Sequence, residues 1–463
     1  MVGMSMRDFD VIVVGGGGAG LAAAVSAAEQ GASVLVADAG DRLGGATALS
    51  TGVLYAGGTS VQRAIGIEDS AEAAYDYCMT LSQYRAQPSI IRRLCVDAAS
   101  AVEWLQALGV EYRPQDLYVA GVDKVPRGHI PVDNGAAVVA ALDQAAMTLN
   151  ATVVLRTRVR RLLVESGRVC GIVVEGNKVR SGAVILASGG FGNNRHFLAR
   201  YFPKAALHGD LTWYIGPSHS RGDGIAMGLE VNAAIAGHDC GLLQLNAGFV
   251  REQDAYLPGW LLFVNREGRR FVDETAAYAV MPSIVGDQPG AEAIVVFDEA
   301  ARRSAKAVTT YRRLFENWTS DRLEHFAREG KLSVGSTLSE LAERIGIRED
   351  TFARTVSRYN QDCDNGLDGL YFKPASYLKP VRTPPFYAAR VRPATLVTTA
   401  AGLRIDDRAK VLDEGGEPIP GLYAAGETTG GVLDLYFAGG ISIANCMVFG
   451  RVAGKEAAAF AKH

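Results

Sequence analysis

The chain has 463 residues, of which 48% are hydrophobic, and a formal net charge of -3 at pH 7. This length predicts two or more packed units, and the weakly acidic balance argues against nucleic acid as a partner. No apolar run is long enough to span a membrane, and residues 1–7 lack the apolar region of a signal peptide, so we expect a cytoplasmic protein. The six cysteines form no CxxC pair and the histidines show no ligand spacing, so neither a disulfide framework nor a metal site is predicted.

The chain opens on a strand pattern that leads directly into a glycine-rich turn and an alanine-rich helix. The strand, residues 10–14, is followed by four glycines, an alanine and a fifth glycine. Gly15 permits a tight turn, Gly17 lets the backbone approach a pyrophosphate, and Gly20 lets the helix pack closely on the strand. Asp38 ends the second strand pattern and is placed to bond an adenosine ribose. Together these features predict a dinucleotide-binding βαβ unit.

The next segment, residues 44–52, consists of glycines, small residues and hydroxyl residues, apart from one leucine. Such a backbone can run close to a flat ring and its hydroxylated chain, although an ordinary surface loop is the alternative. Helical periodicity then covers residues 70–110. Strand patterns recur at 152–155, 168–174 and 183–186, and the last runs into a second glycine-rich strand end, residues 187–191. This kind of strand end is typical of the border of an adenosine site.

The middle of the chain has a different pattern. Alternating strands at 260–264 and 293–297 precede charged helices around 320–360, which indicates an inserted domain. Dinucleotide character returns at 420–427, a strand that ends in a glycine and a glutamate. A last helix, residues 443–460, is predicted to close the first domain.

The order of these motifs resembles the flavoprotein family of fumarate reductase and succinate dehydrogenase over nearly the whole chain. The motifs are residues 15–20, 44–52, 187–191, 222–224, 265–274 and 426–427. The resemblance implies an α/β fold, with a Rossmann-like FAD-binding domain of the GR2 type at 1–240 and 396–463 and an inserted α+β capping domain at 241–395. It also implies noncovalent FAD, because residues 42–58 lack the histidine that some relatives use to attach the flavin.

The predicted cofactor-binding residues lie in the first turn, at the acid that follows it, in the 44–52 segment and at later strand and helix ends. They are Gly15, Gly17, Gly18, Ala19, Gly20, Asp38, Ala39, Gly45, Ala46, Thr47, Ser50, Thr51, Gly52, Val159, Ser188, Gly189, Asp223, Gly426, Glu427, Ser442 and Ile443. The resemblance places the last two at the N-terminus of the final helix, where the helix dipole would stabilise negative charge on the flavin.

The chain departs from this family where a substrate would bind. Members that reduce fumarate clamp its two carboxylates with two histidines and two arginines, whereas this chain has neutral residues at the matching motif positions: Asn246, Tyr278, Thr398 and Phe437. A dicarboxylate would be held poorly without those charges. Arg127 and Arg221 are alternative ligands for a substrate carboxylate.

Residues 436–440, Tyr-Phe-Ala-Gly-Gly, instead resemble the carbonyl-binding turn of the ketosteroid dehydrogenases in the same superfamily. The resemblance implies that the Tyr436 hydroxyl and the Gly440 N–H bind a ketone oxygen, where two preorganised donors stabilise enolate charge. It makes Tyr278 the candidate for removing the α proton. A phenol is a weak base at neutral pH, and Tyr118 is the candidate helper.

These residues predict an FAD-dependent desaturase of a cyclic ketone, in which the α proton is removed and the β hydride passes to flavin N5. The substrate is a 3-ketosteroid or a small ring such as 4-oxocyclohexanecarboxylate, and the modest length of the cap favours the smaller ring. The electron acceptor is unknown, and no membrane partner is expected. The alternatives are a polycarboxylate dehydrogenase acting on a compound such as tricarballylate, a fumarate-reductase-like enzyme, and a flavin-binding protein without turnover.

Overall fold

The computed structural model describes residues 7–120, 123–250, 256–310, 313–433 and 438–463. The helices in these ranges are α1 Gly18–Glu29, α2 Gly45–Leu49, α3 Ser60–Arg63, α4 Ala71–Leu81, α5 Pro88–Ala107, α6 Asn134–Thr148, α7 Arg195–Tyr201, α8 Pro203–Ala206, α9 Asp223–Glu230, α10 Met281–Gly286, α11 Glu299–Arg303, α12 Ser320–Arg328, α13 Leu338–Ile345, α14 Glu349–Asn365 and α15 Ile441–Ala461. Short 3-10 helices cover Gly209–Leu211, Pro289–Ala291, Ala375–Tyr377 and Gly426–Thr428.

The strands in the same ranges follow in chain order. They are β1 Phe9–Val14, β2 Val34–Ala37, β3 Leu54–Tyr55, β4 Tyr112–Tyr118, β5 Gly128–Pro131, β6 Thr152–Val154, β7 Arg161–Glu165, β8 Arg168–Val174, β9 Asn177–Leu186, β10 Trp213–Tyr214, β11 Ile235–Ala236, β12 Gly241–Asn246, β13 Leu262–Val264, β14 Ala293–Asp298, β15 Val308–Thr310, β16 Arg313–Phe315, β17 Ser333–Gly335, β18 Phe386–Thr399, β19 Gly402–Leu403, β20 Lys410–Leu412 and β21 Pro418–Ala424.

The chain divides into two compact units. The first contains the residues up to Ala206, residues 216–242 and residues 397–463. The second contains residues 207–215 and 243–396. The first unit is therefore built from both ends of the chain, and the second unit is formed mainly by one continuous middle segment.

A parallel sheet forms the centre of the first unit, in the order β6-β2-β1-β9-β21. Val11 of β1 lies opposite Val34 of β2 and Ala183 of β9. Residues 11–14 are buried throughout, as expected for a parallel strand that is covered on both faces. α15 packs along α1, whose buried side is built from alanines and glycines. This arrangement confirms the predicted α/β fold with a Rossmann-like sheet.

The second unit is built on the antiparallel strands β13, β14 and β18, with β14 in the middle. All six residues of β14 are buried, and alternate residues belong to two different apolar clusters. Val295 and Phe297 pack in one apolar cluster with Phe249, Trp318 and Phe326. The opposite face packs against α13 and α14 through Leu341, Phe352 and Val356. The sheet therefore has helices on one face and loop and helix residues on the other, an α+β arrangement.

Among the described residues, none of the helices combines the length and the apolar character that a membrane span requires. The same ranges contain no group of three or more His, Cys, Asp or Glu side chains arranged to hold a metal ion.

Candidate cofactor cleft and active site

A cleft in the first unit opens at the carboxyl ends of β1, β2 and β9. Parallel sheets bind ligands at this edge. Many of the predicted cofactor residues meet there: Gly15, Gly17, Gly18, Ala19, Asp38, Ala39, Gly45, Ala46, Thr47, Val159, Ser188, Gly189, Asp223 and Glu427. The structure thus brings together residues from both ends of the sequence.

The start of α1 is suited to an anion. Gly17 is its N-cap, and no side chain bonds the first N–H groups of the helix. A Cβ at Gly17 would meet nothing nearer than 3.9 Å, whereas a Cβ at Gly20 would lie 1.8 Å from the Gly15 carbonyl oxygen. The backbone at Gly17 is therefore open, while Gly20 is packed against the turn. Uncapped N–H groups at a helix N-terminus are ready donors for a pyrophosphate.

Asp38 connects two turns at the edge of the cleft. Its Oδ2 accepts a hydrogen bond from the Gly16 N–H at 2.6 Å, and its Oδ1 accepts one from the Gly40 N–H at 2.6 Å. The side chain is 7% exposed, so its position is fixed by these two bonds. Each carboxylate oxygen keeps a further lone pair, which suits it to accept a ribose hydroxyl hydrogen.

Glu427, in the last glycine-containing strand end of the sequence, lines the cleft and is half-buried. Its Oε1 accepts hydrogen bonds from the backbone N–H of Thr399 at 2.8 Å and from the Thr399 hydroxyl at 2.9 Å. Burial raises the pKa of the Glu427 carboxyl, although the hydrogen bonds from Thr399 act against that rise. A fixed carboxyl group at the cleft wall can bond hydroxyl or imide hydrogens of a ligand.

The cleft wall contains an ion pair that was not predicted from the sequence. Arg158, after the edge strand β6, holds Asp223, the first residue of α9, with 2.8 Å between Nε and Oδ2. Asp223 was predicted, but its partner was not. The cleft-lining residues outside the prediction are Val14, Ala37, Thr157, Arg158, Ala187, Pro217, His219, Ser220 and Cys446. The position of residues 157–158 after a parallel strand was the signal that could have identified them.

Some predicted cofactor residues do not line this cleft: Gly20, Ser50, Thr51, Gly52, Gly426, Ser442 and Ile443. Ser50 and Gly52 follow α2, where the Ser50 hydroxyl accepts a bond from the Gly52 N–H. Ser442 and Ile443 form the first turn of α15, and their N–H groups have no hydrogen-bond acceptor in the part of the chain that the structure describes. Unsatisfied N–H groups at a helix N-terminus are suited to an electron-rich ligand edge.

The donors and acceptors of the first unit fit FAD. Two uncapped helix N-termini, an ordered carboxylate after β2 and a cleft at the carboxyl edge of a parallel sheet are what an adenine dinucleotide requires. The flavin would be held by these backbone groups and by the Asp38 and Glu427 carboxyl groups.

In the second unit, Tyr278 lines a cavity of about 570 Å³. Its ring centre lies 5.6 Å from that of Tyr256, which lines the same cavity. Tyr278 follows a segment fixed by buried ion pairs, because Arg270 bonds Glu274 at 2.7 Å and Asp368 at 2.7 Å. Glu274, the buried carboxylate of this ion-pair group, lies four residues before Tyr278 in the chain.

The other predicted catalytic residues lie in the first unit or outside the described residues. Gly440 is the N-cap of α15, with φ of 98°. Tyr118 ends β4 and pairs with Gly128 of β5. Tyr436, like Phe437, is outside the described ranges.

The alternative carboxylate ligand Arg127 already has protein partners. It is 3% exposed and bonds Asp69 at 2.7 Å and Asp123 at 3.0 Å, with a further contact to the Tyr55 hydroxyl at 3.4 Å. These groups occupy its guanidinium, so it stabilises the first unit and is not offered to a ligand. Arg221 is exposed.

Comparisons with known proteins agree with this geometry. The family described as the FAD binding domain matches residues 10–443. NADH:fumarate oxidoreductase of Klebsiella pneumoniae is 30% identical over 98% of this chain, which spans only 48% of that protein. A fumarate reductase (cytochrome) of Shewanella frigidimarina is 31% identical over 98% of this chain and 77% of that protein.

Among solved structures, 3-ketosteroid-Δ4-(5α)-dehydrogenase from Rhodococcus jostii matches 98% of both chains with a TM-score of 0.79 and 27% identity. The FAD prediction is thereby confirmed, as is the relationship to fumarate reductases and ketosteroid dehydrogenases. The chain belongs to the FAD-binding flavoprotein family, a family of FAD-dependent oxidoreductases that act on carbon–carbon bonds.

Proposed function

We propose that this chain is a desaturase that removes one hydrogen from each of two adjacent carbons beside the carbonyl of a cyclic ketone. The observation that carries the proposal is the neutral chemistry at the positions where the fumarate-reductase resemblance expects cations. Asn246 and Thr398 are 4% and 8% exposed, and Tyr278 lines the cavity of the second unit. A buried amide, a buried hydroxyl and a phenol cannot neutralise a dicarboxylate, but they suit a ketone.

Gly440 supports the assignment of a carbonyl site. Its N–H donates to no acceptor in the described part of the chain, and its own carbonyl accepts a bond from the Tyr55 N–H at 3.2 Å. A Cβ at Gly440 would lie 2.9 Å from that nitrogen, and the φ of 98° is one that glycine adopts readily. A free N–H on a rigid turn is suited to hold a ketone oxygen as enolate charge develops, together with the Tyr436 hydroxyl.

Each of these residues has a separate role in the proposed reaction. Bound FAD would supply the acceptor for the hydride that leaves the β carbon. Tyr278 takes the α proton, and the electron pair left behind forms the carbon–carbon double bond. Tyr436 and Gly440 hold the ketone oxygen during this step, and Tyr118 assists Tyr278. A separate electron acceptor would return the cofactor to its oxidised form.

The names of the relatives support an activity on carbon–carbon bonds and leave the direction open. The fumarate reductases at about 31% identity favour a second candidate, a polycarboxylate dehydrogenase or fumarate-reductase-like enzyme. The ketosteroid dehydrogenase favours the ketone. These two candidates differ in the compound that changes the redox state of the flavin.

Anaerobic flavin bleaching tests the proposal. The purified holoenzyme is mixed in turn with 4-oxocyclohexanecarboxylate, a 3-ketosteroid, tricarballylate and succinate. We expect bleaching by a ketone and none by the two acids that lack one. Bleaching by tricarballylate or succinate alone, or reoxidation of the reduced enzyme by fumarate with no response to any ketone, would establish the second candidate instead.

A further inference from the structure

The cavity that contains Tyr278 also contains two lysines, Lys306 and Lys379. Across the described ranges, neither ammonium nitrogen forms an ion pair with a carboxylate. Lys379 Nζ donates to the Ser304 hydroxyl at 2.8 Å and lies 5.2 Å from the centre of the Trp260 ring. Lys379 is half-buried and Lys306 is exposed at the rim, so the cavity has two positive charges without a carboxylate partner in the described residues.

The nearby acidic groups are already bound elsewhere. Asp298 accepts three backbone N–H groups at 2.8–2.9 Å, and Glu274, which also lines the cavity, bonds Arg270 at 2.7 Å and Lys373 at 3.3 Å. Burial lowers the pKa of Lys379, the charge of Asp298 opposes this, and the charge of Lys306 adds to it. An anion brought in by a ligand would relieve both effects that disfavour the charged lysine.

Most of the remaining wall of the cavity is aromatic or apolar. Tyr256, Trp260, Tyr278 and Tyr377 contribute rings, and Leu257 and Met281 contribute apolar side chains. Such walls bind the carbon skeleton of a small ring, whereas the ammonium groups can pair with a negatively charged substituent. An uncharged steroid would offer neither lysine a carboxylate.

We infer that this cavity binds a cyclic ketone that carries a carboxylate, and that Lys306 and Lys379 bind the carboxylate as specificity-determining residues. The inference rests on the proposed ketone desaturase. It selects a ring acid of the 4-oxocyclohexanecarboxylate type over a 3-ketosteroid. The two lysines bind the acidic group of the substrate, and the phenol of Tyr278 lines the same cavity.

The test compares the acid with a neutral analogue of the same shape. With the FAD-loaded enzyme, kcat/KM is measured for 4-oxocyclohexanecarboxylate and for 4-oxocyclohexanecarboxamide in the wild type and in Lys306→Gln and Lys379→Gln. We expect Lys379→Gln to lower the acid-to-amide ratio about tenfold or more, since a hydrogen bond to a charged group contributes about 1.5–3 kcal/mol. Lys306→Gln should lower it by a few-fold, because Lys306 is exposed and solvent screens its charge. Lys379→Arg should restore most of the ratio, and Lys455→Gln, an exposed lysine on α15, should leave it unchanged.

A binding measurement separates this inference from the proposed function. Cyclohexanecarboxylate has no ketone and cannot react, so its calorimetric affinity for the holoenzyme reports on binding alone, and the change of that affinity in a lysine variant reports on the lysines. Loss of that affinity in the Lys306→Gln/Lys379→Gln double variant supports the inference even if no ketone bleaches the flavin, an outcome in which only the desaturase proposal fails. Equal affinity in the wild type and the double variant overturns the inference, whatever the bleaching assay gives.

Discussion

Tyr278 is a phenol at the position where the fumarate-reductase resemblance expects an arginine. An arginine there suits proton delivery to a product of reduction, whereas a tyrosine can exchange a proton with a carbon acid only when a polarised ketone assists it. The side chain lines the cavity of the second unit beside Tyr256. The identity of this one residue therefore favours ketone chemistry, and its role can be tested separately from that of its neighbour.

Replacing Tyr278 by Phe should slow flavin reduction by a ketone substrate about 100-fold or more, because general base catalysis contributes that much. FAD content should stay at the wild-type level. Stopped-flow flavin absorbance measures the rate. Tyr256→Phe is the matched control, since it removes a hydroxyl from the same cavity, and it should change the rate only a few-fold. A Tyr278→Phe enzyme that reduces its flavin at the wild-type rate would remove this residue from the mechanism.

Glu299 at the start of α11 is a titrating residue that stabilises the second unit. Arg302 bonds it at 2.7 Å, and Arg303 and Tyr387 also donate to it. The hydrogen bond from Arg302 is the main cause of a pKa lowered from 4.5 to about 2. A carboxyl group with a lowered folded-state pKa contributes stability above its unfolded pKa and loses it as pH falls toward the folded value.

Glu299→Gln should therefore lower the Tm at pH 7 by about 2 °C or more. The difference from the wild type should shrink between pH 4.5 and pH 2 as the wild-type carboxyl becomes protonated. Differential scanning calorimetry across this range measures it. The exposed Glu343, which has no ion pair in the described residues, gives the control Glu343→Gln. A constant difference between the two curves down to pH 2 would show that the charge of Glu299 is not what stabilises the fold.

At the scale of elements, the first βαβ unit could be predicted because its signals are local. An apolar strand pattern, a glycine-rich turn and an acid after the next strand pattern all fall within residues 10–38. α2 was not predicted, since residues 45–49 are small and lack amphipathic periodicity. Its start depends on Gly44 with φ of 114°, a backbone conformation that the sequence pattern does not specify. Similarly, β18 acquires its 14-residue length from partners that are distant in sequence.

The turn before α1 gives an element-level prediction. Gly20→Ala places a Cβ 1.8 Å from the Gly15 carbonyl oxygen, so the helix start must move away from the turn. We expect FAD occupancy to fall about tenfold and stability to fall by about 1–3 kcal/mol. The ratio of flavin to protein absorbance and the urea midpoint measure the two effects. Gly286→Ala, where an added Cβ meets no atom within 4 Å, should be close to wild type in both. Full flavin occupancy in Gly20→Ala would mean that this helix start does not hold the cofactor.

At the scale of the whole chain, the cofactor cleft is assembled from segments that are far apart in sequence. It is lined by residues between 14 and 47, 157 and 159, 187 and 223, and 427 and 446. Motif order predicted the segments that have glycine-rich signatures. It did not predict the Arg158–Asp223 ion pair, because two charged residues 65 positions apart become partners only when β6 and α9 are placed by the fold. Long-range pairing is decided by tertiary packing, which a single sequence does not display.

This assembly predicts what removal of FAD does to the molecule. A ligand that binds only the folded state stabilises it by about 2.7 kcal/mol at a concentration 100 times its Kd. Without FAD, the segments that meet at the cleft lose the group that bridges them. Hydrogen exchange should then become faster at the carboxyl ends of β1, β9 and β21 and in the first turn of α1. β14 and α14 of the second unit, which line no part of the cleft, are the internal control and should exchange at the same rate in both forms. If removing FAD increased the exchange rate of β14 as much as that of β1, the cofactor would stabilise both units equally. The cleft in the first unit would then not be the main FAD-binding site.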